Sequence, residues 1–328
     1  MTETAIPVAA PPPASDLPGL AAGEEAVIAL RGVSKWYGEV VAVSDLNFGI
    51  GSGVTALLGP NGAGKSTILN LISGLIAASS GVIDVLDRPV RGDTRIYRDI
   101  GLAGEQEQLY GSLTGREFVR LNAILQKTPD AERATERTIA VVDMGSAADR
   151  PLGGYSKGMR QRIKVAAALV HDPRILLLDE PLNGTDPVQR ASLVALIRRL
   201  GDEGKTVVVS SHVLSEVERF ARNVLVIVNG KLAAAGDFYA IRERMDERDH
   251  MVRIRCNHPR QFAAALVAEP VTTSIRFGGD GRLTAETNDV RRFSLLVPVI
   301  AQREGIRLFE VQPVDESLAS VFSYLVGK

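Results

Sequence analysis

The feature that most constrains this chain is a junction. The apolar run at residues 54–58 feeds directly into Gly59-Pro60-Asn61-Gly62-Ala63-Gly64-Lys65-Ser66-Thr67. Gly59 and Gly64 stand five apart and are followed by Lys65 and Ser66, the G-x-x-x-x-G-K-[ST] spacing of a phosphate-cradling loop. Glycines let the backbone wrap so that several N–H groups turn toward phosphate oxygens. A helix that starts at the end of the loop adds its positive dipole end. Residues 66–72 have the required helical spacing. In such a loop Lys65 reaches the β- and γ-phosphates and Ser66 ligates Mg²⁺. The junction therefore predicts a strand–loop–helix unit that holds ATP or GTP.

The rest of the pattern fits a sheet of that kind. Apolar runs recur at 54–58, 175–178, 207–210 and 224–228. Short continuous runs bounded by Gly, Asp or Asn suit strands buried on both faces. Helical patterns between them imply parallel βαβ connections. One run, Ile175-Leu176-Leu177-Leu178, ends in Asp179-Glu180-Pro181. Ligands bind at the carboxyl ends of parallel strands. Asp179 is placed there to hold Mg²⁺ through its water shell, and Glu180 to polarise an attacking water.

Composition narrows the class. Lys and Arg total 38 against 39 Asp and Glu, so a surface-wide nucleic-acid footprint is not expected. Cys256 is the single cysteine. It excludes an internal disulfide framework, fits a reducing compartment, and is expected to be a small buried hydrophobe. No apolar run approaches the ~18 residues of a membrane helix. The N-terminal stretch lacks the basic start and apolar core of a signal peptide. These features predict a cytoplasmic protein whose link to a membrane runs through a partner.

Residues 1–24, rich in Ala and Pro, are expected to form a disordered tail. The α/β pattern occupies 25–240, and a charge-dense linker follows at 241–249. Beyond it, strands are expected at 251–256, 272–277, 282–286 and 306–311, with helices at 261–268, 290–303 and 317–325. Gly278-Gly279-Asp280-Gly281 is a hairpin signal, and Pro298 is able to kink its helix. The order β-α-β-β-α-β is that of a ferredoxin-like unit, which predicts a small α+β accessory domain over 250–328.

With both phosphate loop and carboxylate strand in hand, a family resemblance emerges. Tyr155-Ser156-Lys157-Gly158-Met159-Arg160-Gln161-Arg162 resembles the signature of ABC transporter ATP-binding subunits, LSGGQ in its commonest form. Ser156 and Gly158 are retained, whereas Tyr155, Lys157 and Met159 depart from it in a manner similar to ABC-2 exporter-type ATPases. A hydroxyl and a small residue still open a helix whose N-terminus can face a γ-phosphate. Asn183-Gly184-Thr185-Asp186-Pro187 resembles the family's D-loop. Ser210-Ser211-His212 resembles the switch region, which implies that His212 contacts the γ-phosphate and the attacking water. In Lys35-Trp36-Tyr37-Gly38, Tyr37 matches the aromatic that stacks on adenine, with Trp36 as the alternative. Glu105 stands where the family often has its Q-loop glutamine, and Gln106 is next; either can offer oxygen to Mg²⁺.

The resemblance spans residues 26–237. It implies a P-loop NTPase fold with a mainly parallel sheet and a helical subdomain. Lys65, Glu180 and His212 become the implied catalytic groups, and Ser66, Asp179 and Glu105 the implied metal ligands. Nucleotide would be bound by Tyr37, by the loop from Gly59 through Pro60, Asn61, Gly62, Ala63, Gly64, Lys65, Ser66 and Thr67, and by Ser156 and Gly158 of a second chain. The implied assembly is a homodimer, or a heterodimer with a paralogous ATPase. ATP-driven closure would drive a separate membrane permease contacted near residues 105–120, from the cytoplasmic face. The YSKGM form and Glu105 favour export. Two rival readings are an importer ATPase and a soluble ABC ATPase acting on nucleic acid or ribosomes. The second usually needs two ATPase domains or a coiled-coil insert, and this chain has neither.

Overall fold

The computed structural model describes residues 17–20, 25–104, 109–237, 250–278 and 282–313. Its contacts fall into two units, residues 1–238 and 239–328. In the first, β1 (Ile28–Tyr37) and β2 (Val40–Ile50) form a hairpin, and β3 (Gly53–Leu58) leads through the phosphate loop into α1 (Lys65–Ile72). After β4 (Ser80–Val85), β5 (Arg88–Pro89) and β6 (Ile100–Ala103) come three helices, α2 (Gly115–Leu125), α3 (Ala131–Val141) and α4 (Lys157–Leu169). The unit continues with β7 (Ile175–Leu178), α5 (Pro187–Asp202), β8 (Thr206–Ser211), α6 (Leu214–Val217), β9 (Asn223–Val228) and β10 (Lys231–Asp237).

The central sheet has the order β10-β9-β3-β8-β7-β6. The pairings from β9 to β6 are parallel, and β10 joins β9 antiparallel. The four apolar runs of the sequence are thus β3, β7, β8 and β9. Every residue of β7 and β8 is buried, which explains why these strands read as unbroken apolar runs. A second sheet, absent from the sequence reading, has the order β2-β1-β4-β5 and is antiparallel throughout. Both sheets feed one core, in which Leu30 and Phe48 pack in the same cluster as Leu57, Ile68 and Leu177. The three helices α2, α3 and α4 pack on one another as the helical subdomain. A reciprocal cap starts α2: Thr114 Oγ1 accepts from Glu117 N at 3.2 Å, and Glu117 Oε2 accepts from Thr114 N at 2.8 Å.

One expectation fails at the N-terminus. Disorder is expected through residue 24, yet within residues 17–20 Leu17 is only 3% exposed and Pro18 O accepts from Gly49 N at 2.9 Å. The physical reason is Gly49, whose missing Cβ leaves the space occupied by the Leu20 side chain. Leu17 and Leu20 supply the apolar surface by which residues 17–20 dock.

In the second unit, β11 (His250–Cys256), α7 (Pro259–Val267), β12 (Thr272–Phe277), β13 (Leu283–Thr287), α8 (Val290–Arg303) and β14 (Leu308–Pro313) follow the β-α-β-β-α-β order. The sheet order is β12-β13-β11-β14, and each neighbouring pair is antiparallel. β13 therefore splits the parallel pair β11 and β12, and β11 splits β13 and β14, which is the split βαβ arrangement. Phe262, Leu266, Phe293 and Ile300 of the helices meet Val252, Ile254, Leu283 and Ala285 of the sheet, with buried Cys256 among them. α8 continues through Pro298. The expected linker at 241–249, the helix at 317–325 and residues 279–281 of the hairpin signal lie outside the described residues.

Candidate active site

The phosphate loop is shaped by two close approaches. Gly64 caps α1 with a φ of 101°, in the left-handed region that favours glycine. A Cβ there would lie 2.7 Å from Val43 Cγ1 and 2.8 Å from Ala42 O. The β1–β2 hairpin is thereby set against the loop. At the other end, a Cβ on Gly59 would run into the carbonyl of Ile227.

Lys65 opens α1 and folds back over the loop. Its Nζ donates to Gly59 O at 2.8 Å and to Pro60 O at 3.2 Å. Opposite it, the end of β7 delivers the two acids, and Glu180 Oε1 lies 3.2 Å from Lys65 Nζ. Glu180 Oε2 lies 2.9 Å from His212 Nδ1. Lys65, Asp179 and Glu180 are 6%, 5% and 7% exposed. Lys65, Glu180 and His212 are thus brought into one cluster.

Glu180 sits at a φ of 47°, a conformation non-glycine residues adopt sparingly and one that tends to mark functional sites. Its peptide groups are held on several sides. Glu180 N donates to Ser210 Oγ at 2.8 Å, while Glu180 O accepts from Gln161 Nε2 at 3.1 Å and from Asn183 N at 3.1 Å. Ser210 Oγ then donates to Asp179 Oδ1 at 2.6 Å. One buried hydroxyl on β8 therefore fixes the backbone of one acid and the carboxylate of the other. Sequence reading placed Ser210 only as part of the switch segment and gave Gln161 no role. A hydroxyl ending a wholly buried strand was the available signal for Ser210.

These residues fit a nucleotide with a divalent cation. Two buried carboxylates face one buried ammonium, so the cluster carries surplus negative charge that calls for a cation. Ser66 is exposed at the loop and offers a hydroxyl. A hydroxyl and a carboxylate are hard oxygen donors of the kind Mg²⁺ takes alongside phosphates and waters. Among the described residues no three His, Cys, Asp or Glu cluster as a metal cage.

The signature segment opens α4, with Ser156 Oγ accepting from Met159 N at 3.2 Å. Tyr155 is buried, its hydroxyl donates to Ala147 O at 2.6 Å, and burial pushes its phenol pKa up. A Cβ on Gly158 would run into Gln189 of α5, and the Lys157 stem fills the space beside Gly184. Asp186 caps α5 through Val188 N at 3.0 Å and Gln189 N at 2.9 Å. Signature and D-loop therefore form one packed corner. Among the described residues, no hydrogen bond or ion pair joins Ser156 or Gly158 to residues 59–67.

A family model described as ABC transporter matches residues 43–183. Nod factor export ATP-binding protein I of Sinorhizobium fredii is 33% identical over 310 residues, covering 93% of this chain and 87% of that protein. The chain belongs to the ABC transporter ATP-binding family. Lantibiotic transport ATP-binding protein SrtF of Streptococcus pyogenes is 35% identical over 207 residues, covering 63% of this chain and 89% of that protein. A solved ATP-binding subunit of an ABC transporter superposes with a TM-score of 0.61 at 26% identity, over 67% of this chain and 93% of that one. A dimeric bacterial ABC transporter cassette gives a TM-score of 0.60 at 27% identity, over 64% of this chain and 98% of that one.

This ABC ATPase carries Tyr37 and Trp36 at the tip of the hairpin beside its loop, 51% and 45% exposed, with Lys35 Nζ 4.8 Å from the Tyr37 ring centroid. Glu105 and Gln106 lie outside the described residues. β6 ends at Ala103, whose carbonyl accepts from Asp179 N at 2.9 Å. No helix among the described residues is long and apolar enough to cross a membrane.

Proposed function

We propose that this ABC ATPase powers export through a separate membrane permease by closing and opening as a pair. The observation that carries the pairing is the half-built site. Lys65, Glu180 and His212 converge in one chain, while Ser156 and Gly158 open a helix elsewhere that has no bond to the loop. A second copy, or a paralogue, would bring its own Ser156 and Gly158 to the far side of the triphosphate. Export is supported by relatives that act in Nod factor export and lantibiotic transport. In this reading the chain sits on the cytoplasmic face of the membrane, held by the permease.

Within the site, the loop amides and Lys65 bind the β- and γ-phosphates, with Ser66 and Asp179 as the residues that would hold Mg²⁺. Bound there, the cation would supply neutralisation of the phosphate charge. Glu180 accepts the hydrogen bond of the attacking water and turns it in line, and His212 holds the Glu180 carboxylate through Nδ1. Tyr37 stacks on adenine. Catalysis is then mostly positioning and charge stabilisation.

The decisive variant is Glu180→Gln. Loss of a general base costs about 10²–10⁴-fold, so steady-state ATP hydrolysis should fall by that factor. ATP should still bind, and the variant should accumulate as an ATP-dependent dimer by sedimentation. Wild-type turnover in that variant would remove Glu180 from its role. Purification of the native chain with a polytopic membrane protein tests the transport reading; ribosomes or DNA in its place would overturn it.

A further inference from the structure

Beyond the phosphate cluster, one chain of polar contacts joins the D-loop to the segment that carries His212. Arg190 stands on the first turn of α5, directly after the D-loop. Its Nη2 donates to Thr185 O at 3.4 Å, and its Nε lies 3.5 Å from Glu216 Oε1. Glu216, on α6, accepts from Ser211 Oγ at 3.4 Å through its other oxygen. Ser211 precedes His212, and its Oγ also accepts from Val213 N at 3.0 Å, on the other side of the histidine. Ser211 O in turn accepts from Gly59 N at 3.2 Å at the start of the phosphate loop.

The Glu216 side chain is 13% exposed and that of Arg190 35%, so the pair is partly buried. A partly buried ion pair is screened less than a fully exposed one. The contact is also non-local. Arg190 and Glu216 sit on two different helices after two different strands, β7 and β8, whose ends present Glu180 and His212. Their pairing spans the two strand-end loops that carry Glu180 and His212.

We propose that Arg190 and Glu216 are positioning residues, resting on the hydrolytic roles of Glu180 and His212 given above. The pair ties Thr185 in the D-loop to Ser211, so that a displacement of residues 183–186 is passed to His212 and changes its hold on Glu180. The D-loop packs against the signature corner, which is the part of the chain a second copy would engage. The Arg190–Glu216 pair thus makes hydrolysis in one chain responsive to how its D-loop is seated.

The test is a double-mutant cycle in the full chain, with Arg190→Met, Glu216→Gln and both together, read as kcat and KM for ATP and as Tm. Each single variant should lower kcat by about tenfold, as expected for a coupled charge pair, with KM for ATP changed less than about twofold. The double variant should be no worse than the poorer single one. Arg190→Lys, which keeps the charge, should recover part of the loss. Additive losses, a rise in KM matching the fall in kcat, or a lowered Tm with kcat unchanged would each overturn the proposal. His212→Ala, measured alongside, keeps the two readings apart. If that variant hydrolyses ATP normally, the histidine's role fails and the coupling falls with it. If it is impaired while the Arg190 and Glu216 variants are not, only the coupling fails.

Discussion

The two units of this chain bury different things. The first buries Lys65, Lys164, Asp179 and Glu180 along with several hydroxyls, whereas Thr287 is the one polar residue that the second buries among the described residues. A buried charge is a stability liability unless it is paired. The second unit also closes on an apolar core, but buries no charged residue among those described. Chemistry should therefore be sensitive to single changes in the first unit, and stability to single changes in the second.

The largest expected effect tests the second half of that contrast. Phe293→Ala on α8 removes a fully buried ring and should cost about 3–5 kcal/mol of that unit's stability, read by chemical denaturation. ATP affinity of the folded protein should stay within about twofold. A large loss of affinity would break the comparison by tying the second unit to the site. A middle-sized effect belongs to the hairpin of the first unit. Tyr37→Ala should weaken ATP binding by about 1 kcal/mol, the scale of an aromatic stacking contact, and more than Trp36→Ala does. The reverse ranking in a fluorescent-nucleotide titration would move the adenine platform to Trp36.

The smallest effect separates burial for chemistry from burial for structure inside the first unit. His171 Nε2 lies 3.1 Å from Ile100 O, and burial holds its pKa below 6.5. The native state therefore prefers the neutral ring. As pH falls below about 6.5, the unfolded chain takes up a proton that the native chain resists. This part of the stability is present at neutral pH and lost on acidification, down to the depressed native pKa. His171→Gln should flatten the acid limb of a Tm-versus-pH curve and leave ATP hydrolysis at pH 7.5 unchanged. An unaltered acid limb would show that His171 does not titrate in this way.

Much of the site was legible because its parts are contiguous. The loop from Gly59 to Thr67 and the run ending in Asp179-Glu180 each carry their meaning in a few adjacent letters, and β3, β7, β8 and β9 announce themselves as unbroken apolar runs. The antiparallel sheet of β1, β2, β4 and β5 was harder to see. Its strands include exposed and half-buried positions, and residue shifts interrupt the β1 pairings, so neither strict alternation nor a continuous run survives. The docking of Leu17 and Leu20 was also hidden, since it depends on a glycine far along the chain.

By itself, then, the sequence determined the strand–loop–helix junction, the acid pair, the signature segment and the β-α-β-β-α-β order of the second unit. These rest on local backbone needs and short periodicities, which the chain writes in consecutive residues. Only the tertiary structure decided that Ser210 serves both acids, that Gln161 braces Glu180 in a left-handed backbone, and that Arg190 meets Glu216. Each of those contacts joins residues from separate strands and helices, and parallel βαβ folding separates its neighbouring strand ends by long stretches of chain.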